Sequence, residues 1–255
     1  MRNIKLTLMY DGTNYHGWQR QQNVITVQQC VEEALERIFQ EPRVIVYGCS
    51  RTDAGVHARA YVCSFFTNSK MPAKKIPFAL NTCLPRDIRA VGACDVDMDF
   101  HAQYRAKSKI YSYTVINAPH GNAFLYNRAW HYPQKIDMEK VKYAASFLVG
   151  RHDFRTFMAV DGCQKIYVKN MYSLDVHKDE NIITFTLHAD GYLYNMVRII
   201  CGTLVFMGSG TLNYLDMPDI LASLDRRRAG MTAPPQGLIL EKVFYDPPYD
   251  KPFET

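Results

Sequence analysis

The feature that most constrains this chain is the order in which two hydrophobic periods alternate along it. Ile4, Leu6, Leu8 and Tyr10 recur at every second residue, which predicts a strand over residues 3–10 with one buried face. "DGTNYHGW" follows as a turn-rich loop. A helix is expected from Thr26, whose T-x-x-Q spacing to Gln29 makes a capping box. Val27, Val31, Ala34, Leu35 and Ile38 give that helix an apolar stripe. Strand-like runs at 44–47 and 61–66, a short helix near 72–80 and a strand near 88–95 complete a β-α-β-β-α-β order. A sheet with helices on one face satisfies that order, the ferredoxin-like plan.

The second half repeats the scheme. A strand is predicted over 109–116, and a helix over 138–149 stopped by Gly150. Residues 172–176 and 182–187 read as a hairpin around "HKDEN". An apolar helix over 194–207 and a second over 217–228, with Pro218 in its first turn, precede a last strand at 238–245. No low-complexity linker divides the halves, so the boundary is placed near residue 105, giving domains 1–105 and 106–255 whose sheets lie against each other. The length, 255 residues, suffices for one large domain or two ordinary ones.

Apolar residues make up 47% and charged residues 22%, ordinary values for a soluble globular protein. No apolar stretch of about 18 residues lacks a charge, so no membrane span is expected. The best candidate, "YLYNMVRIICGTLVFMG", is interrupted by Arg198. The first residues alternate like a strand and show no signal-peptide core, which predicts a cytoplasmic protein. Seven cysteines are scattered without a C-x-x-C pair, so neither a disulfide framework nor a zinc site is indicated. Cys63 and Cys201, in apolar runs, read as small core residues. The formal charge of +5 permits nucleic acid without selecting it. "RRR" at 226–228 and "QYRAKSK" at 103–109 are basic clusters whose default role is a solvated face.

Three places carry side chains that a plain core does not need. Asp53 lies in a glycine-containing loop, where an aspartate is by default a turn former or cap. Its neighbours argue for more. Arg51, two residues earlier, can face the same side of an extended segment and grip a carboxylate or a phosphate. Gly55 removes bulk, so a substrate can approach the backbone. Arg198 is the only charge on an apolar helix; it either snorkels to the surface or, if buried, requires a carboxylate such as Asp53. Tyr111 and Tyr113 are two apart and face one side of a strand, with a core role as the default. His57 and His101 lack partners at metal-ligand spacing and are read as structural.

Six motifs occur in order: "YDGTNYHGWQRQ" at 10–21, "RTDAGVHA" at 51–58, "FHA" at 100–102, "KIYSY" at 109–113, "YNMVRIICGTL" at 194–204 and "APPQGLIL" at 233–240. Together they resemble the TruA family of tRNA pseudouridine synthases over nearly the whole chain. The resemblance implies an α+β pseudouridine synthase fold, two ferredoxin-like halves forming an extended antiparallel sheet with helices on one face. It implies an isomerase that converts uridine to pseudouridine in the tRNA anticodon stem-loop, at positions 38 to 40, with no metal and no organic cofactor. It implies a homodimer with tRNA as partner. By the same resemblance Asp53 is the catalytic nucleophile, Arg198 its partner, and Tyr111 the residue that stacks on the base and can help move the C5 proton. A phenol, with an ordinary pKa of about 10, is a poor base at neutral pH, which favours stacking. Arg51 fills the space left by the flipped nucleotide, and Leu238 lines the uracil pocket.

Two departures bear on the substrate. Ser50 stands where the family has glycine before R-T-D, and "FHAQYRA" replaces "FHARYSA", with Gln103 in place of an arginine and Arg105 in place of a serine. A strand through this segment would keep the displaced charge on the same face. The same chemistry on another RNA, such as ribosomal RNA, is the alternative; a non-catalytic RNA-binding protein is the third.

Overall fold

A computed structural model describes residues 1–162 and 166–250. The chain is mixed α+β, with mostly antiparallel strands and five α-helices among the described residues. It divides into two compact units, Met1–Lys107 with Leu240–Thr255, and Ser108–Ile239.

The first unit is built on β1 (Arg2–Tyr10), α1 (Val27–Phe39), β2 (Val46–Gly48), β3 (His57–Thr67), α2 (Ile76–Asn81) and β4 (Ile88–Val96). The strands run β4-β1-β3-β2, all antiparallel, with Leu6 opposite Cys63 on one side and Ala93 on the other. That is the ferredoxin-like order. β1 departs from the expectation of one buried face. Ile4, Leu6 and Leu8 are fully buried, and Asn3, Lys5 and Thr7 on the opposite face are buried too. For two of them the partners come from the chain's later segments: Asn3 Nδ2 donates to the carbonyls of Asp97 and Phe100, and Lys5 Nζ donates to that of Tyr249. Burial holds the Lys5 amine below its ordinary pKa.

Thr26 caps α1 by accepting from the Gln29 N–H. Only half of the expected capping box forms, because the Gln29 side chain donates to Glu33 one turn on. Val27, Val31, Ala34 and Leu35 supply the buried stripe.

The second unit contains β5 (Ser108–Ile116), β6 (Trp130–His131), α3 (Met138–Ser146), β7 (Gly150–Asp153), β8 (Val168–Asp179), β9 (Ile182–Ala189), α4 (Met196–Gly208) and α5 (Met217–Ala222). β10 (Leu238–Phe244) begins in this unit and ends in the first. The order β5-β9-β8-β7 is antiparallel, with Tyr111 opposite Leu187 and Tyr113 opposite Phe185. β6 adds the parallel pairing, Val115 opposite Trp130.

At three helix boundaries the backbone departs from the sequence pattern. The helix expected to 149 ends at Ser146, and Gly150, at φ +110°, opens β7 instead of stopping a helix. The helix expected over 217–228 ends at Ala222; Leu224 turns left-handed and Arg226–Arg228 forms a separate 3-10 turn capped by Asp225. α4 starts two residues late because Asn195 is left-handed at φ +60°. The segment holding Gln103 and Arg105 is a turn, not a strand, so two-residue alternation does not relate them. Arg105 pairs with Asp99 there. Cys63 and Cys201 are fully buried thiols, while Cys163 lies outside the described residues.

Candidate active site

Arg51 and Asp53 belong to the first unit, on the loop between β2 and β3. Arg51 is exposed, Thr52 buried and Asp53 half-buried. The loop is moulded on the turn-rich segment that follows β1. The Trp18 N–H donates to the Thr52 carbonyl at 3.1 Å, and the Gly55 N–H to the Tyr15 carbonyl at 3.3 Å. The Asp53 carbonyl accepts from Val56 N–H at 3.2 Å, closing a tight turn just past the carboxylate. Contact between the two segments requires Gly17: it sits at φ +81°, and a Cβ there would stand 2.3 Å from the Thr52 carbonyl oxygen. Behind the loop, buried His57 accepts from the Gly12 N–H through Nδ1 at 3.0 Å, and the same nitrogen lies 3.0 Å from Asp11 Oδ1. His57 is thus a foundation of the loop.

Tyr111, Arg198 and Leu238 belong to the second unit. Tyr111 is buried on β5, and Tyr192 meets its ring edge-on with centroids 5.1 Å apart. The Tyr192 hydroxyl donates to the carbonyls of Lys109 and Leu187, on the two strands that carry Tyr111 and its register partner. Arg198 lies in the first turn of α4 and is half-buried. Its Nε donates to the Ala233 carbonyl at 2.8 Å and its Nη1 to Asn195 Oδ1 at 2.7 Å. The Ala233 N–H returns a bond to the Arg198 carbonyl at 3.1 Å. Tyr113 donates its hydroxyl to the next carbonyl, that of Pro234, at 2.7 Å, and burial pushes its phenol well above its ordinary pKa. Segment 233–238 therefore receives both Arg198 and Tyr113 before it enters β10 with Leu238, which is buried. Its approach to α4 depends on Gly202, where a Cβ would stand 2.0 Å from the Met231 carbonyl oxygen.

Sequence reasoning missed the residues that hold these groups in place: Tyr10, Trp18 and Thr52 in the first unit, Tyr192, Asn195 and the Ala233–Pro234 carbonyls in the second. All lie in or beside the quoted motifs, so their signal was position in the motif, not residue type. The "RRR" run has local duties: Arg227 chelates Asp225, and Arg226 reaches Thr232.

The family profile described as tRNA pseudouridine synthase matches residues 7–105 and 144–246. Those spans contain Arg51, Asp53, Arg198 and Leu238; Tyr111 falls between them. A protein of Thermoanaerobacter sp. (strain X514) named tRNA pseudouridine synthase A is 46% identical over 245 residues, covering 96% of this chain and 100% of its own. Proteins of the same name from Ruminiclostridium cellulolyticum and Acetivibrio thermocellus are 45% and 44% identical, each with the same coverage.

Proposed function

The chain belongs to the tRNA pseudouridine synthase family, an isomerase of uridine in tRNA, and on that premise we propose that it acts at positions 38 to 40 of the anticodon stem-loop with Asp53 as nucleophile. The observation that carries the assignment is the presentation of Asp53. A half-buried carboxylate follows directly on a residue, Thr52, whose backbone and side chain are both fixed by the neighbouring segment.

In the reaction the N1–C1′ bond breaks, a C5–C1′ bond forms, C5 loses its proton and N1 gains one. Nothing is oxidised or reduced. A carboxylate that adds to the nucleotide divides this exchange into smaller steps. Arg198 serves as the partner of Asp53, delivered by α4 with its guanidinium oriented by Ala233 and Asn195. Tyr111 stacks on the uracil, and Leu238 lines the pocket that receives it. C5 is out of reach inside a stacked stem, so the nucleotide is flipped at a cost of a few kcal/mol, and exposed Arg51 takes the space it leaves. The working form is a cytoplasmic homodimer.

Nucleotide-resolution mapping of pseudouridine in RNA from a deletion strain tests the assignment. Complementation with the wild-type chain restores modification at positions 38 to 40, and complementation with Asp53→Asn does not. Restoration by Asp53→Asn would overturn the nucleophile, and restoration only at ribosomal sites would overturn the substrate.

A further inference from the structure

The motif from Tyr10 to Trp18 has no part in the chemistry above, yet it lies against the loop that carries Arg51 and Asp53. Tyr10 ends β1, Trp18 closes the loop after it, and Tyr61 stands in β3. Trp18 and Tyr61 stack with centroids 4.0 Å apart and planes 26° from parallel, and Tyr10 lies 5.6 Å from Tyr61. All three rings are buried.

The two phenol hydroxyls meet the catalytic loop on both sides of Arg51. The Tyr61 hydroxyl donates to the Ser50 carbonyl. The Tyr10 hydroxyl lies 2.9 Å from Thr52 Oγ1, and the backbone N–H of Trp18, not its indole, donates to the Thr52 carbonyl at 3.1 Å. The chain enters the loop so close to the cluster that a Cβ on Gly48 would stand 2.1 Å from the Tyr61 oxygen and 2.5 Å from Trp18 Nε1. Burial pushes the Tyr61 phenol well above its ordinary pKa, which keeps it a donor at any working pH. Residue 50 is thus held through its carbonyl whatever its side chain, and this structure accommodates Ser50 with its hydroxyl 3.8 Å from Cys49 Sγ.

We propose that Tyr10, Tyr61 and Thr52 are positioning residues for the isomerisation, buried hydroxyls that fix the backbone on either side of Arg51 and thereby aim the Asp53 carboxylate. The inference rests on Asp53 being the nucleophile. A misplacement of about 1 Å at a reacting group can cost on the order of a hundredfold in rate. Removing one hydroxyl without removing its ring or its bulk isolates that effect.

Tyr10→Phe, Tyr61→Phe, Thr52→Val and Thr52→Ser are compared in steady-state assays on tRNA. The three variants that lose a hydroxyl lower kcat about 10- to 100-fold with little change in KM. Thr52→Ser keeps most of the wild-type rate. Tyr10→Phe with Thr52→Val is no slower than the slower single variant, because both remove one interaction. Tyr132→Phe, which removes a phenol 3.0 Å from Ser209 Oγ in the second unit, leaves kcat unchanged. If Tyr61→Phe does not fold, the Thr52 pair and Tyr10→Phe decide the matter. Wild-type kcat in Tyr10→Phe and Thr52→Val, with only the melting temperature lowered, would overturn the proposal. So would losses that multiply in the double variant. Asp53→Asn run in parallel separates the failures: full activity there sinks the nucleophile, whereas an inert Asp53→Asn beside fast phenylalanine variants sinks the positioning claim alone.

Discussion

Asp53 stands in a loop between two strands, whereas Tyr111 and Arg198 stand inside a strand and in the first turn of a helix. Each unit is built on antiparallel strands, so the contrast lies in how each one fixes a side chain. A strand position is set by its ladder, and Tyr111 inherits its place from pairing with Leu187. A loop position has no ladder, and its precision has to come from side chains and backbone groups that reach in from elsewhere. The first unit meets that need with Gly17, Trp18, Tyr10 and Tyr61 around residues 50–53. The second unit adds supports at Arg198, whose guanidinium donates to Ala233 and Asn195, and at segment 233–234, which Tyr113 also holds.

Substitutions in the two units test this contrast. The largest effect after loss of Asp53 itself is expected at Arg198. Lysine keeps the charge but lacks the planar fork that donates to Ala233 and Asn195 together, so Arg198→Lys should lower kcat by about a hundredfold. An unchanged kcat would show that the charge alone matters. Next come the two close contacts. Gly17→Ala and Gly202→Ala each force a carbonyl to move, at a cost of about 1–3 kcal/mol, read as a lowered midpoint in urea. Gly17→Ala should depress kcat as well, and Gly202→Ala should act chiefly on stability. Equal effects on kcat would erase the distinction between the units.

Tyr111→Phe should cost only a few-fold in kcat, since the ring that stacks is retained, a small effect on the scale of general acid–base losses of about a hundredfold or more. A loss of that larger size would assign the phenol a proton-transfer role. The smallest effect lies away from the site. The Arg227 guanidinium beside Asp225 holds its carboxyl at about 2. A depressed folded pKa contributes stability above the ordinary carboxylate range, lost as the pH falls towards 2. NMR titration should place the Asp225 midpoint near 2, rising towards the ordinary value in Arg227→Ala. An ordinary midpoint in the wild-type chain would contradict the pairing.

Element order was legible in the sequence because strand and helix periods differ so plainly in residues 3–10 and 26–38. Boundaries were less so where a single backbone angle decided them. Leu224 does not announce a left-handed conformation by type, and Asn195, a type that tolerates one, stands inside a run that otherwise reads as helix. β7 was hidden because Gly150 reads as a helix stop and "GRHD" shows no apolar alternation. Arg51, Asp53, Tyr111, Arg198 and Leu238 were legible as a set only through the order of six motifs. Their supports were not, because a buried tyrosine that aims its hydroxyl at a loop has the same letter as one that fills a core. Asn3 and Lys5 mislead for a related reason: their partners lie 94 to 244 positions along the chain, beyond the reach of local periodicity.

The central claim is that Asp53 is the nucleophile of a uridine isomerase. Release of tritium from tRNA labelled at uridine C5, measured together with tRNA binding, tests it most directly. Asp53→Asn is predicted to lower release by more than about a thousandfold, the scale on which loss of a nucleophile is felt, while tRNA affinity stays close to wild type. Release at the wild-type rate from Asp53→Asn would contradict the account.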